Sequence, residues 1–259
     1  FLEKRDVVAK RKSKTKPTKA GPKTGSIAAY TMYGLDWLRT DVRVFWDGVA
    51  SRLRDAGMSD VPSRLTWKMP EVEQWHAPNL LLGQTCGYPL MKGLTGDVRL
   101  VVTPSYIAPF VEGTSYASLI VVAKDSGITS LAQLKGGVAV VNGITSHSGY
   151  NAFRRLVADY VHQEHPMRLQ SRDRGGQVKY FSEVIVSGKH HHSLAYLASG
   201  KADVASIDAV SFHLISKGRP ELTDAVKVLT TTLPAPGLPL ITAGTRSDDE
   251  LRTLRAALM

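Results

Sequence analysis

The longest apolar runs in this chain, Ser118–Ala123 and Gly137–Val141, are the length of a β-strand. They fall far short of the roughly 18–20 apolar residues needed to span a bilayer. Between such runs lie segments whose apolar residues recur at helical spacing. Val42, Phe45, Trp46, Val49 and Leu53 mark one face of a helix over Val42–Ala56, closed by Gly57. The same reading predicts strands at Ser26–Met32, Arg64–Lys68, Arg99–Thr103, Val138–Val141, Lys179–Val186, Asp203–Ile207 and Val226–Thr231. Helices are expected at Ser130–Lys135, Tyr150–His162, His191–Ser199, Val210–Ser216 and Asp248–Ala257, and a polar loop at His165–Gly176. Strands alternating with helices imply an α/β architecture with mostly parallel sheets. Ligands then collect at the C-terminal ends of strands, beside helix N-termini. That singles out the loops around Tyr33, Gln84–Tyr88, Thr145–Tyr150, Lys189–Ser193 and Asp208.

Length and composition fit this picture. A chain of 259 residues, 43% hydrophobic and 22% charged, can bury one large core or two smaller ones. The net charge of +10 is concentrated at one end: residues 1–25 hold nine Lys/Arg against Glu3 and Asp6. A Lys/Ser/Thr/Pro/Gly tail without an apolar period reads as disordered. The remainder is nearly neutral, so a nucleic-acid partner is not expected. The tail lacks the apolar core of a signal peptide, and a start at Phe1 leaves the true N-terminus open. With Cys86 as the single cysteine, no internal disulfide forms and the redox compartment is undetermined.

One loop carries chemistry. Thr145-Ser146-His147-Ser148-Gly149-Tyr150 stands between an apolar strand and an amphipathic helix. The first turn of a helix offers amides without intrahelical partners, and the dipole adds partial positive charge there. Hydroxyls at that end donate to an anion's oxygens, and Gly149 permits close approach of the backbone. Such a cradle holds a tetrahedral oxyanion without Lys or Arg. Taken alone, Ser146 or Ser148 reads first as an ordinary N-cap.

Longer stretches are more specific. GQTCGYPL at 83–90, APFVEGTSYASLIVVAKDSGITSLAQLKG at 108–136, TSHSGYNAFR at 145–154, SGKHHHSLAYLASGKADVASID at 187–208 and APGLPLIT at 235–242 resemble the phosphate/phosphite/phosphonate-binding receptors of ABC importers. The resemblance implies a type II periplasmic binding protein: two α/β lobes joined by two crossing strands, with ligand in the cleft. The crossings would fall near Tyr116–Ala123 and Lys227–Leu233. Lobe one would comprise 26–120 plus 230–259, and lobe two 121–229.

The resemblance also suggests roles. Ser146, His147, Ser148 and Gly149 match the family's S-T-S-G loop, with His147 in place of the middle Thr; His147 adds an imidazole or points to solvent. Tyr33 and Tyr88 match tyrosines at strand ends of the first lobe, against simple rim packing. His190 occupies the histidine of the family's G-S-H pattern, with Lys189 replacing Ser. Asp208 either meets a ligand's amino group or caps the helix beginning at Ala209. Ser118, at a crossing, is a lesser candidate. The run His190-His191-His192 is not expected to hold a metal, because consecutive side chains diverge. No cofactor is implied.

Enzyme motifs are missing: no G-x-S-x-G elbow, no H-E-x-x-H and no Walker A loop. The reading is a non-enzymatic, monomeric, exported receptor for a small phosphorus oxyanion. Its partners would be the permease and ATPase subunits of an importer, through which it is peripheral to the membrane. A cytoplasmic sensor of the same fold, or an enzyme using the same cleft, remains an alternative.

Overall fold

The computed structural model describes residues 25–164 and 180–259. The basic tail, apart from Gly25, and the polar stretch His165–Gly176 lie outside the described residues.

Two sheets organise the chain. The first contains β1 (Ile27–Ala28), β2 (Leu80–Gln84), β12 (Leu240–Ala243) and β3 (Val98–Val102), hydrogen-bonded in that order. Every residue of β2, Leu-Leu-Leu-Gly-Gln, is buried, as a strand covered on both faces requires. On one face lie α1 (Arg39–Asp55) and α8 (Asp248–Leu258). Trp46, Leu53, Leu81 and Leu254 meet there in one apolar cluster. Each fully buried leucine contributes about 1.5–3 kcal/mol. The opposite face is closed by α2 (Glu71–Trp75), whose Trp75 joins Leu80 and Ile241.

The second sheet has the order β10 (Val226–Thr231), β6 (Ser118–Ala123), β9 (Val204–Asp208), β7 (Val138–Val141) and β8 (Glu183–Val186). One face packs against α5 (His190–Ala198), α6 (Ala209–Gly218) and α7 (Pro220–Asp224) around Leu194, Ile207 and Ile215. The other packs against α4 (Ala152–Glu164) around Ile120, Val141 and Phe153. A short helical turn, α3 (Gly87–Pro89), follows β2.

The lobes are joined at a small sheet of β11 (Ala235–Pro236), β5 (Ser115–Tyr116) and β4 (Val111–Glu112). The outgoing and returning segments run side by side there. Tyr116 pairs with Ala235, and Thr232 donates its amide to Ser118 O at 2.9 Å. The Thr232 hydroxyl oxygen accepts the Ser118 amide at 3.0 Å.

Several elements differ from the sequence reading. The sheets are mixed rather than mostly parallel: β12 runs antiparallel to both neighbours, and β6 is antiparallel to β9 and β10. Strands that enter and leave a lobe through the same junction must run in opposite directions. The strand expected at Arg64–Lys68 does not form. Only the Thr66 amide reaches β1, at Ala28 O, 2.7 Å away, and prolines 62 and 70 bracket the segment. The first strand is confined to Ile27–Ala28, and Leu240–Ala243 is a strand the periodicity did not disclose.

Candidate functional site

At the end of β7 the chain enters a wide helical turn, His147–Asn151, which leads into α4. Ser146 caps it: its Oγ accepts the Gly149 amide at 3.0 Å. Such π-turns recur at functional sites. Gly149 is needed for packing, because a Cβ there would overlap Asn142 Oδ1. The cradle of free amides is smaller than the sequence suggests. The His147 amide donates to Cys86 Sγ at 3.2 Å and the Gly149 amide to Ser146, so two donors of the turn are already committed.

The hydroxyls remain informative. Ser148 is buried, and its Oγ lies 3.2 Å from His190 Nε2. Its carbonyl accepts the Ser206 hydroxyl at 2.6 Å, which pins the turn to β9. His190 opens α5 after β8, and Asp208 opens α6 after β9. Three parallel or adjacent strands thus deliver three helix starts to one place, each with partial positive charge from its peptide dipoles.

The first lobe faces this group across a cleft of about 270 Å³. Thr31, Tyr33 and Gly34 line it from the turn after β1, Glu71 and Trp75 from α2, and Cys86 from the end of β2. Asn142, Ser146, Ser148, Lys189, His190 and Asp208 line the other side. Direct bonds bridge the lobes: Tyr33 Oη donates to Asp208 Oδ2 at 3.2 Å, the His147 amide to Cys86 Sγ, and Trp37 Nε1 to Leu214 O at 3.4 Å. Asp208 Oδ1 accepts the Ser211 amide at 2.7 Å, capping α6.

Burial sets the site's proton affinities. It raises Asp208 to about 6, with the Ser211 amide and Tyr33 hydroxyl opposing it. It lowers His190 to about 4, helped by neighbouring His191. The imidazole is therefore neutral near pH 7 and can donate from only one nitrogen. Its Nδ1 is buried without a hydrogen-bond partner among the described residues. Burial also raises the thiol of Cys86, a shift opposed by the amide of His147, and that of the Tyr33 phenol, which Asp208 reinforces.

Of the residues singled out from sequence, Tyr33, Ser146, Ser148, His190 and Asp208 come together around the cleft. His147, Gly149, Tyr88 and Ser118 are not among the lining residues. His147 turns its ring toward Asn151, with Nδ1 3.4 Å from Nδ2 of that amide. Tyr88 lies under Lys92, whose Nζ is 6.0 Å from the ring centroid. Ser118 is buried in β6, paired with Asp208 in the ladder. Asn142, Glu71 and Trp75 were missed as wall residues, while Cys86 and Lys189 stood in marked loops without being named for the site. Asn142 sits directly after β7, so its strand-end position was a usable signal. Nothing local marks Glu71 or Trp75. In the histidine run, His191 packs edge-on to Trp37 and His192 Nδ1 meets Ser187 O at 3.1 Å. Among the described residues no group of three His, Cys, Asp or Glu is placed to hold a metal ion, and no helix is long and apolar enough to cross a membrane.

Two mixed α/β lobes joined through paired crossing segments, with polar strand ends converging on the cleft, define a type II periplasmic binding protein. The model for the periplasmic substrate-binding proteins of phosphonate ABC transporters matches residues 84–259, and the chain belongs to that family. No curated protein matches it. Among solved structures it is similar to PhnD1 of Prochlorococcus marinus in complex with methylphosphonate, with 17% identity and a TM-score of 0.64 over 90% of this chain and 83% of that one. A phosphonate-transporter binding protein from Pseudomonas aeruginosa gives 17% and 0.62 over 90% and 74%. A Xanthomonas citri protein bound to ATP gives 15% and 0.61 over 91% and 82%. At such identities the likeness speaks to the fold. The family is one of substrate-binding receptors that act in the periplasm with ABC transporters.

Proposed function

We propose that the chain is the monomeric solute receptor of an ABC importer and closes around a small phosphorus oxyanion: phosphate, phosphite or a phosphonate. Residues 26–120 plus 230–259 would form one closing body and 121–229 the other. The reading rests on one arrangement: Ser146, Ser148, His190 and Asp208 on one wall face Tyr33 on the other. Hydroxyls, a neutral imidazole and helix starts suit a compact oxyanion, and contacts to both walls favour the closed state. The methylphosphonate held by the Prochlorococcus marinus relative points the same way. The receptor would be exported and would hand its ligand to permease and ATPase subunits without chemical change.

Asp208 makes the reading more specific. An oxyanion beside a buried carboxylate needs a shared proton or a cationic substituent, since two bare charges repel strongly at low dielectric. A thermal-shift screen against phosphate, phosphite, sulfate, methylphosphonate and 2-aminoethylphosphonate tests the proposal. A ligand at 100 times its Kd adds about 2.7 kcal/mol of stability. Silence from every phosphorus compound would refute the reading, and turnover of a bound compound would convert the receptor into an enzyme.

A further inference from the structure

The ligand cleft does not end at the oxyanion wall. A second, half-open recess of about 400 Å³ adjoins it, and both are lined by Thr31, Gly34, Glu71 and Lys189. Small organic ligands occupy sites of about 300–1,000 Å³, so the inner cleft with its annex exceeds what a five-atom inorganic anion fills.

The annex has a distinct lining. Trp67 and Met69 supply flat and polarisable surface, both only partly buried. The Arg39 guanidinium sits 5.5 Å from the Trp67 ring centroid and pairs with Asp36 at 2.8 Å. An indole beside an oriented guanidinium binds flat, π-rich groups through stacking and cation–π attraction. At the neck between the chambers stand Glu71 and Lys189, of opposite charge and close enough that Lys189 counters the burial that raises the Glu71 carboxyl. A polar linker is matched there on either side.

Building on the oxyanion reading, we infer that the natural ligand is an organic phosphonate or phosphate ester carrying a flat ring, with the phosphoryl group at Ser146, Ser148 and His190 and the ring in the annex against Trp67. Trp67 is then a specificity-determining residue and the annex a second subsite. The segment that supplies Trp67, residues 63–70, belongs to no strand or helix, while Arg39 of α1 and Glu71 of α2 complete the lining.

Calorimetric titration of the full chain with methylphosphonate, phenylphosphonate and benzylphosphonate tests this. The aromatic ligands should bind about three- to tenfold more tightly than methylphosphonate, the increment of one aromatic contact. Trp67→Ala should abolish that preference and leave methylphosphonate affinity unchanged; Trp67→Phe, which keeps a ring, should restore most of it. A melting temperature close to the parent's for both variants separates loss of the subsite from loss of the fold. Methylphosphonate binding with no aromatic preference, or an equal effect of Trp67→Ala on all three, overturns the annex and spares the oxyanion site. If none of the three binds, the oxyanion reading and the annex fall together.

Discussion

The phenolic hydroxyl of Tyr33 donates to Asp208 Oδ2 at 3.2 Å, although the residues stand 175 positions apart. The second carboxylate oxygen accepts the Ser211 amide at 2.7 Å. Both partners are neutral donors. They soften the cost of burying the carboxylate without removing it, and Asp208 holds its proton up to about pH 6. Together with Glu71 and Lys189, Asp208 sets the charge that the cleft presents.

Anion binding should therefore draw in a proton. For phosphite or methylphosphonate, affinity should rise as pH falls from 8 to 6, by up to about tenfold per unit once the ligand's own titration is subtracted. Calorimetry in buffers of different ionisation enthalpy measures the uptake. Asp208→Asn should raise affinity for these ligands at pH 7.5 and flatten the profile, while weakening 2-aminoethylphosphonate, whose ammonium loses its counter-charge.

Stability should respond to pH through two opposing groups. Asp208 is raised from 3.8 to about 6, so the folded state holds more protons than the unfolded one in that window and stability falls as pH rises through it. His190 is lowered from 6.5 to about 4, so the folded state holds fewer protons and stability rises with pH between those values. Each effect is bounded at roughly 3 kcal/mol. In the parent these two contributions largely cancel from pH 4 to 6.5. Asp208→Asn should gain stability with rising pH over that range and His190→Gln should lose it. Denaturant midpoints at pH 4.5 and 7 read both slopes.

Ser148→Ala removes a hydroxyl that faces His190. A hydrogen bond to a charged group contributes about 1.5–3 kcal/mol, so affinity for the preferred oxyanion should drop by about 10- to 150-fold. An unchanged Kd would remove the hydroxyl from the binding contacts.

Gly149→Ala should destabilise by about 1–3 kcal/mol, because the added methyl overlaps Asn142 Oδ1. Combining it with Asn142→Ala should recover part of the loss, a coupling that thermal melts of the single and double variants resolve.

Cys86 is buried, and burial raises its thiol. It should react slowly with a thiol reagent at pH 8 in the native protein and rapidly in denaturant. Fast native labelling would mean that the lobes part readily at the Cys86–His147 contact.

How much of this was legible beforehand depended on how local each cause was. The helix of Val42–Ala56 and its stop at Gly57, where φ is +87°, follow from spacing and a glycine the turn requires. Strand ends after β7, β8 and β9 could be marked because apolar runs give way to polar loops there. Phe45, read as core by its spacing, is 42% exposed, since only the partner surface decides how wide a buried stripe is. Tyr88 and His147 had the right residue types in the right loops, yet their rings point to Lys92 and Asn151. A side chain's direction off a short turn is fixed by whatever packs next to it.

The amino-acid sequence by itself determined the alternation of strands and helices and the family. Each rests on short-range periodicity or contiguous motif. Only tertiary structure decided that Cys86 would accept the His147 amide, that Tyr33 would meet Asp208, and that Trp67 and Glu71 would extend the cleft. Those contacts join residues distant along the chain, and their geometry exists only once both lobes have packed and excluded water between them.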